Sequence, residues 1–181
     1  MKLMIASDLH GSAFWIEKMI NRFHEEKCDT ILLLGDLLYH GPRNNLPDEY
    51  DTKKAIDLLN SIKDKILCVK GNCDGEVDEM VLDFPISQET LVLSVDGVNF
   101  FATHGHRYNE DNLPPFCNFD ILLNGHTHIM TFNKHEDYIF VNPGSTSIPK
   151  GNTKHSIAIY EKGEFLFYNL EDDTIIKKEQ I

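Results

Sequence analysis

Positive charge is scarce in this chain: 17 Lys and Arg stand against 29 Asp and Glu in 181 residues, a formal net charge of −12. Counterion release onto duplex nucleic acid needs clustered basic residues, so this balance argues against a general duplex-binding surface. An anionic substrate stays open if bound cations supply the attraction. Long apolar runs are also missing. No stretch approaches the roughly 18 apolar residues of a membrane span. The apolar residues 3–6 are too short for a secretory signal and run straight into Asp8. Cysteine is sparse: Cys28, Cys68, Cys73 and Cys117 make no CxxC pair and no dense framework. Free thiols in a reducing cytoplasm fit that pattern better than disulfides. Several catalytic signatures are absent too. The chain has no Gly-x-x-x-x-Gly-Lys-Ser/Thr loop, no Gly-x-Gly-x-x-Gly fingerprint, no His-Glu-x-x-His and no Gly-x-Ser-x-Gly elbow.

What is present is an ordinary globular composition, 41% apolar and 25% charged. A chain of this length buries about two thirds of its unfolded surface, so one domain, residues 1–181, folds without a disulfide or metal staple. The first half alternates strand and helix signals. Residues 2–7, 30–34 and 66–70 read as short buried strands. Ser12 suits the N-cap of a helix over 13–26 with Phe14, Ile16, Met19, Ile20 and Phe23 inward. A second helix over 52–62 turns Ile56, Leu59 and Ile62 inward. This β-α-β-α-β order predicts a parallel sheet with right-handed crossovers. The second half is strand-rich: 91–95 and 98–103 form a hairpin across Asp96-Gly97, followed by 120–123, 138–141, 156–160 and 165–169. Residues 39–50, with Gly41-Pro42, Asn44-Asn45 and Pro47, read as a loop. The two halves are expected to pack as two sheets flanked by helices.

Polar residues recur where these strands stop. Asp8-Leu9-His10 follows the first strand, Gly35-Asp36 the second and Gly71-Asn72-Cys73-Asp74 the third. Thr103-His104-Gly105-His106 closes the hairpin, and Gly125-His126-Thr127-His128 follows residues 120–123. Ligands bind outside the carboxyl ends of strands in open α/β sheets, so five segments deliver carboxylates, an amide and imidazoles to one edge. Residues i and i+2 on extended backbone share a face, which brings Asp8 with His10 and His126 with His128. Oxygen and nitrogen donors without thiolates suit Mn²⁺, Fe²⁺, Zn²⁺ or Co²⁺. Asp8, His10, Asp36, Asn72, His104, His126 and His128 exceed what one ion needs, and Asp36 sits centrally. Two ions sharing a carboxylate, about 3.5–4 Å apart, fit that surplus. The adjacent glycines let backbone approach the ions closely.

These motifs, Asp8-x-His10, Gly35-Asp36, Gly71-Asn72, His104 and Gly125-His126-x-His128, resemble the set that marks the calcineurin-like metallophosphoesterase superfamily. The resemblance spans nearly the whole chain. Residues 6–12 (Ala-Ser-Asp-Leu-His-Gly-Ser), 40–44 (His-Gly-Pro-Arg-Asn) and 142–145 (Asn-Pro-Gly-Ser) look closer still to the small bacterial YfcE-like phosphodiesterases. The resemblance implies an α/β fold, a four-layer αββα sandwich of two mixed β-sheets flanked by helices. It implies that Asp8, His10 and His128 hold one divalent ion, Asn72, His104 and His126 a second, and that Asp36 bridges. Mn²⁺ is the first expectation, with Zn²⁺, Fe²⁺, Co²⁺ and Ni²⁺ also compatible. The implied reaction is phosphodiester hydrolysis by in-line attack of a metal-bridging hydroxide. The implied setting is a cytoplasmic homo-oligomer acting on a small phosphate ester. The competing class is a non-catalytic interaction scaffold on the same fold, like the retromer subunit that resembles this family.

One position departs from the superfamily pattern. Most members follow Gly-Asn with a His that protonates the leaving group or binds phosphate, and this chain has Cys73. A thiol is a weak donor, which predicts slow turnover of esters with basic leaving groups; the other reading is a tolerated small residue with the acid supplied elsewhere. His106 is either a substrate-facing or ligand-supporting side chain, or an exposed turn residue. Arg43 is the candidate cation for a phosphate oxygen, or else an ordinary surface arginine. His40 is a weaker candidate for orienting a ligand. Asp74 either fixes its loop or approaches the metals. Residues 142–145 are expected to pack as a turn behind the site. His24, His135 and His155 lack ligand spacing.

Overall fold

The structure, a computed structural model, describes residues 1–115 and 118–181. Cys117 therefore lies outside the described residues, while Cys28, Cys68 and Cys73 are free thiols. The first half follows the alternation in the sequence: β1 (Leu3–Ala6), α1 (Ala13–Glu25), β2 (Thr30–Leu33), α2 (Thr52–Ser61) and β3 (Ile66–Cys68). A short α3 (Glu76–Val81) leads into the second half. There β4 (Thr90–Val95), β5 (Val98–Thr103), β6 (Ile121–Leu123), β7 (Thr131–Lys134), β8 (Ile139–Asn142), β9 (Ser156–Glu161), β10 (Glu164–Asn169) and β11 (Ile175–Gln180) follow. Two hairpin turns, Asp96-Gly97 and Lys162-Gly163, run at φ of 53° and 85° and of 48° and 85°. That left-handed pair matches the right-handed twist of the strands it joins.

Local chemistry explains the helix boundaries. The Ser12 hydroxyl accepts the Trp15 N–H at 3.4 Å and donates to the Asp48 carbonyl at 2.5 Å, so it both starts α1 and ties down the 39–50 loop. The Asp51 carboxylate accepts the Lys54 N–H at 3.0 Å and starts α2 in the same way. α1 buries Ala13, Trp15, Ile16, Met19, Ile20 and Phe23. Phe14, expected inward, is half-buried, and Trp15 takes the core position, stacked on His155 with ring centroids 3.7 Å apart. α2 buries Ala55 and Leu59, with Ile56 half-buried beside them.

Two mixed sheets stack face to face. The larger runs β11-β10-β9-β1-β2-β3 and the smaller β4-β5-β6-β8-β7. In the larger sheet β1, β2 and β3 are parallel neighbours; in the smaller β5, β6 and β8 are. Strand periodicity sorts the core. Leu3 and Ile5 of β1 join Leu32, Phe100, Ile121, Leu123, Val141 and Phe165 between the sheets. Met4 and Ala6 of the same strand pack outward against α1 and α2 through Ile16, Met19, Phe23 and Leu59. On the outer face of the smaller sheet lie Phe101, Leu122 and Phe140, covered by Phe119 and Tyr138. The two-sheet sandwich is thus as the resemblance implies, with one difference among the described residues: that outer face carries no helix. The segment between β5 and β6 holds Asn109, Asn112, Pro114 and Pro115, which favour turns over a continuous helix.

Replacing Ser12 by Ala removes a cap and a loop tether together. The expected cost is about 1–2 kcal/mol, read as a fall in melting temperature of roughly 4 °C in a thermal scan.

Candidate metal centre

The parallel strands of both sheets end on one edge. β1 hands over to Asp8 and His10, β2 to Asp36, β3 to Asn72, β5 to His104, and β6 to His126 and His128. The turns are not extended. Asp8, His10, Asp36, His126 and His128 all lie at φ between 45° and 65°. The extended-backbone expectation is therefore corrected. The ends of β1, β2 and β6 reverse into left-handed geometry, and the two side chains of the 126/128 pair part company, His128 towards Asp8 and His126 towards His104. Such φ values are uncommon outside glycine and persist only where surroundings over-determine them. Here they do: Asp8 N–H donates to Gly35 O at 3.1 Å and His10 N–H to Asp36 O at 2.9 Å. The Asp74 carboxylate accepts the N–H groups of Leu37, Asp36 and Gly71 at 2.7, 2.9 and 2.7 Å, so Asp74 fixes the loop. A Cβ on Gly71 would lie 2.1 Å from Asp36 Oδ1, and one on Gly125 1.8 Å from Ser7 Oγ. Close backbone approach demands glycine at both places.

The side chains converge acceptor against acceptor. Three imidazoles give their Nδ1 to backbone carbonyls: His10 to Tyr39 O at 2.7 Å, His104 to Leu34 O at 2.7 Å and His128 to Ile148 O at 2.6 Å. A carbonyl only accepts, so each Nδ1 carries the hydrogen and, in the neutral ring, each Nε2 presents a bare lone pair. His10 Nε2 and His128 Nε2 face each other at 3.3 Å, with Asp8 Oδ1 3.7 and 3.3 Å away. His104 Nε2 lies 3.4 Å from Asp36 Oδ2, 3.1 Å from Asn72 Oδ1 and 3.3 Å from His126 Nδ1. Asp36 Oδ2 is also 3.8 Å from His10 Nε2, which places this carboxylate between the two groups. Asp8 Oδ1 is fully buried and has no hydrogen-bond donor. Lone pairs packed this way in the interior need a cation among them. The donor set of imidazoles, carboxylates and one amide oxygen fits the divalent ions of the family.

Charge follows the same geometry. Burial works against the Asp8 carboxylate, yet His128 and His104 beside it outweigh that and hold its pKa below the usual value. Burial likewise opposes the charge on Asp36, and His104 with the Cys73 N–H overcomes it. Burial keeps His10 and His126 neutral by lowering their pKa, with the His104 charge adding to the effect at His126. His104 goes the other way: burial disfavours its charge, but Asp36 and Asp8 push its pKa up to about 9. A proton on His104 thus sits where a metal would otherwise neutralise the carboxylates.

A cavity of about 440 Å³ opens on this edge, lined among others by Asp36, Arg43, Asn44, Cys73, His126 and Lys150. Arg43 and Lys150 bring positive charge to it. The Cys73 sulfur accepts from Asn72 Nδ2 at 3.3 Å, and its pKa is pushed up to about 12 by burial and by the charge of Asp36. His106 is exposed and does not line this cavity, though its ring lies 5.5 Å from that of His104 and 6.1 Å from that of His126. The group that orients His10 is the Tyr39 carbonyl and not His40, whose ring packs edge-on against Tyr39 and Tyr50. Asn142 packs behind the site as expected, donating to Gly125 O at 2.7 Å. The three orienting carbonyls and Lys150 had no signature in the sequence: a backbone carbonyl belongs to every residue, and a lysine after a proline reads as surface.

Residues 1–164 match the Calcineurin-like phosphoesterase superfamily domain. Phosphodiesterase YfcE of Escherichia coli strain K12 is 39% identical over 176 residues, covering 97% of this chain and 96% of that protein. A solved structure of Yfce, a phosphoesterase from E. coli, superposes with a TM-score of 0.95 at 39% identity, covering 100% of both chains. A phosphodiesterase of Methanocaldococcus jannaschii, MJ0936, is 29% identical over 153 residues, 80% of this chain and 83% of its own. Vps29 of Entamoeba histolytica, solved with Zn²⁺, shares the fold at a TM-score of 0.65 and 21% identity, over 100% of this chain and 98% of its own. The chain belongs to the calcineurin-like phosphoesterase superfamily.

Raising the His104 pKa from 6.5 to about 9 makes the metal-stripped protein pH-sensitive. The stabilisation is fully present below the unfolded value and disappears as pH rises through the folded one. In EDTA the melting temperature is expected to decline from pH 6.5 to 9. His104→Gln should remove that decline.

Proposed function

We propose that this chain is a metal-dependent phosphodiesterase with two divalent ions at the strand edge. Asp8, His10 and His128 hold one, Asn72, His104 and His126 the other, and Asp36 spans both. The single observation that carries this is the convergence of the His10 and His128 Nε2 atoms, whose rings give Nδ1 to carbonyls, on two buried carboxylates at 3.3 to 3.8 Å, with Asp8 Oδ1 lacking any donor. Bound divalent ions supply a lowered pKa for water and offset the negative charge that develops on phosphoryl oxygens. Mn²⁺ is the ion proposed, matched by the carboxylate and amide oxygens, and the four imidazoles equally accommodate Zn²⁺, Fe²⁺, Co²⁺ or Ni²⁺. The domain is residues 1–181, because the donors come from both sheets and span positions 8 to 128.

The chain's own side chains then divide the remaining work. Arg43 and Lys150 attract the anionic ester into a cavity on a protein whose net charge is otherwise −12. Arg43 offers a planar fork for a phosphoryl oxygen. Asp74 keeps Asp36 and Gly71 in register so that the donors of β2 and β3 meet. Cys73 stands beside Asp36 in the place that the superfamily gives to a proton-donating His. A thiol is a weak hydrogen-bond donor compared with an imidazolium, so position 73 offers a departing oxygen little help. Substrates whose leaving group needs no proton, activated aryl diesters among them, turn over best.

Two measurements test this reading. Hydrolysis of a chromogenic aryl phosphodiester is expected with Mn²⁺ and is expected to vanish with EDTA; no activity under any metal supports the scaffold class instead. Cys73→His is expected to raise the rate on esters with poor leaving groups by about 10²-fold or more, the size of general-acid assistance, and to change aryl ester hydrolysis little. An equal change on both classes removes the role assigned to position 73.

A further inference from the structure

Asp8 reaches the centre from a left-handed backbone at φ 56°, and what holds it there lies beyond the donor set. β8 ends on the same edge and continues into Pro143, Gly144, Ser145, Thr146, Ser147 and Ile148. Two hydroxyls of this segment, Ser145 Oγ and Ser147 Oγ, both donate to the Asp8 carbonyl at 2.9 Å, and both residues are buried. Ser145 Oγ also accepts the N–H groups of Ser147 at 3.2 Å and Ile148 at 2.8 Å. Its one hydrogen and two lone pairs are all engaged. The Ile148 carbonyl in turn accepts Nδ1 of His128 at 2.6 Å. One serine hydroxyl therefore connects the backbone of Asp8 with the carbonyl that sets the tautomer and direction of His128.

We infer that Ser145 and Ser147 are positioning residues that set the affinity of one half of the centre, the ion shared by Asp8, His10 and His128. The inference rests on the two-ion reading above. A non-glycine residue in left-handed geometry relaxes when the contacts that over-determine it are removed. Losing either hydroxyl removes one of the two donors to the Asp8 carbonyl, loosens the Asp8–Leu9 peptide and lets Oδ1 shift from the two Nε2 atoms. The other half has mostly different supports: His104 leans on the Leu34 carbonyl and Asp36 on the Cys73 N–H and Asp74, while His126 meets Asp8 through its main chain, the N–H given to Asp8 Oδ2 at 3.0 Å. Neither serine hydroxyl touches His104, Asp36 or His126. Removal of supports one contact behind a ligand typically weakens metal binding 10–100-fold, and here the loss falls on one ion of the pair.

The test compares the full chain with Ser147→Ala, Ser145→Ala, Ser147→Thr and Ser156→Ala. Ser156 Oγ donates to Pro143 O at 2.7 Å in the same segment but touches neither Asp8 nor Ile148, so it reports plain loss of loop stability. Mn²⁺ uptake is followed by titration and by electron paramagnetic resonance, with thermal melts to show folding. The wild type is expected to bind two ions with an exchange-coupled spectrum. Ser147→Ala and Ser145→Ala should keep one ion at unchanged affinity, hold the other about 10–100-fold more weakly, and show the spectrum of isolated Mn²⁺ at limiting metal. Ser147→Thr, which keeps the hydroxyl, should restore coupling, and Ser156→Ala should retain it. Wild-type binding in both alanine variants overturns the inference, as does an equal loss in Ser156→Ala. A wild type that binds fewer than two ions overturns the two-ion reading itself and this inference with it.

Discussion

The structure depends on a crowd of acceptors that cannot satisfy one another. Two carboxylates, an amide oxygen and four imidazoles meet at one sheet edge, and three of the rings have already given their Nδ1 hydrogens to the backbone. Unpaired polar atoms in the interior cost free energy comparable to a lost hydrogen bond or more. Positive charge is the only partner that answers all of them together. Among the rings, His104 lies nearest to answering them, because Asp36 and Asp8 raise its pKa while burial lowers those of His10 and His126. The rest of the molecule can be understood as the frame that keeps these groups close. The interleaved apolar faces of β1 hold the larger sheet to α1 on one side and to the smaller sheet on the other. Parallel pairing of β1, β2 and β3, and of β5, β6 and β8, delivers every strand end to the same place.

Overall charge and local charge work in opposite directions here. The chain is strongly acidic, which repels anions at long range, while two basic side chains, Arg43 and Lys150, line the cavity beside the strand edge. Screening over about 8 Å at physiological salt confines the general repulsion to short distances. Local cations then decide what enters.

Much of this was legible beforehand, for identifiable reasons. The helices at α1 and α2 show an apolar period, and α1 the capping Ser12 as well, so their starts agree closely with the structure. The seven donors stood out because each follows an apolar run and because His126-x-His128 has few structural explanations. Other features left no trace in the local pattern. β7 is a four-residue edge strand of mixed polarity, and β11, with Lys177, Lys178 and Glu179, looks like a solvated tail until β10 pairs with it. The left-handed turns were missed because Asp and His at strand ends read as extended; only the tertiary contacts of Asp74, Gly35 and the 142–148 segment dictate otherwise. The support of His128 was hidden because it runs through a main-chain carbonyl twenty residues away.

The five left-handed residues at the centre have an implication for how this chain can evolve. Glycine or asparagine at Asp8, His10, Asp36, His126 or His128 would suit the backbone better, so mutational drift towards a more stable fold has an easy direction open to it. Every such glycine removes a donor, and asparagine exchanges a carboxylate or imidazole for a neutral amide oxygen, a weaker one. A family built on this plan can therefore shed its chemistry and gain stability in the same substitution, which gives non-catalytic descendants of such a scaffold a downhill route of origin.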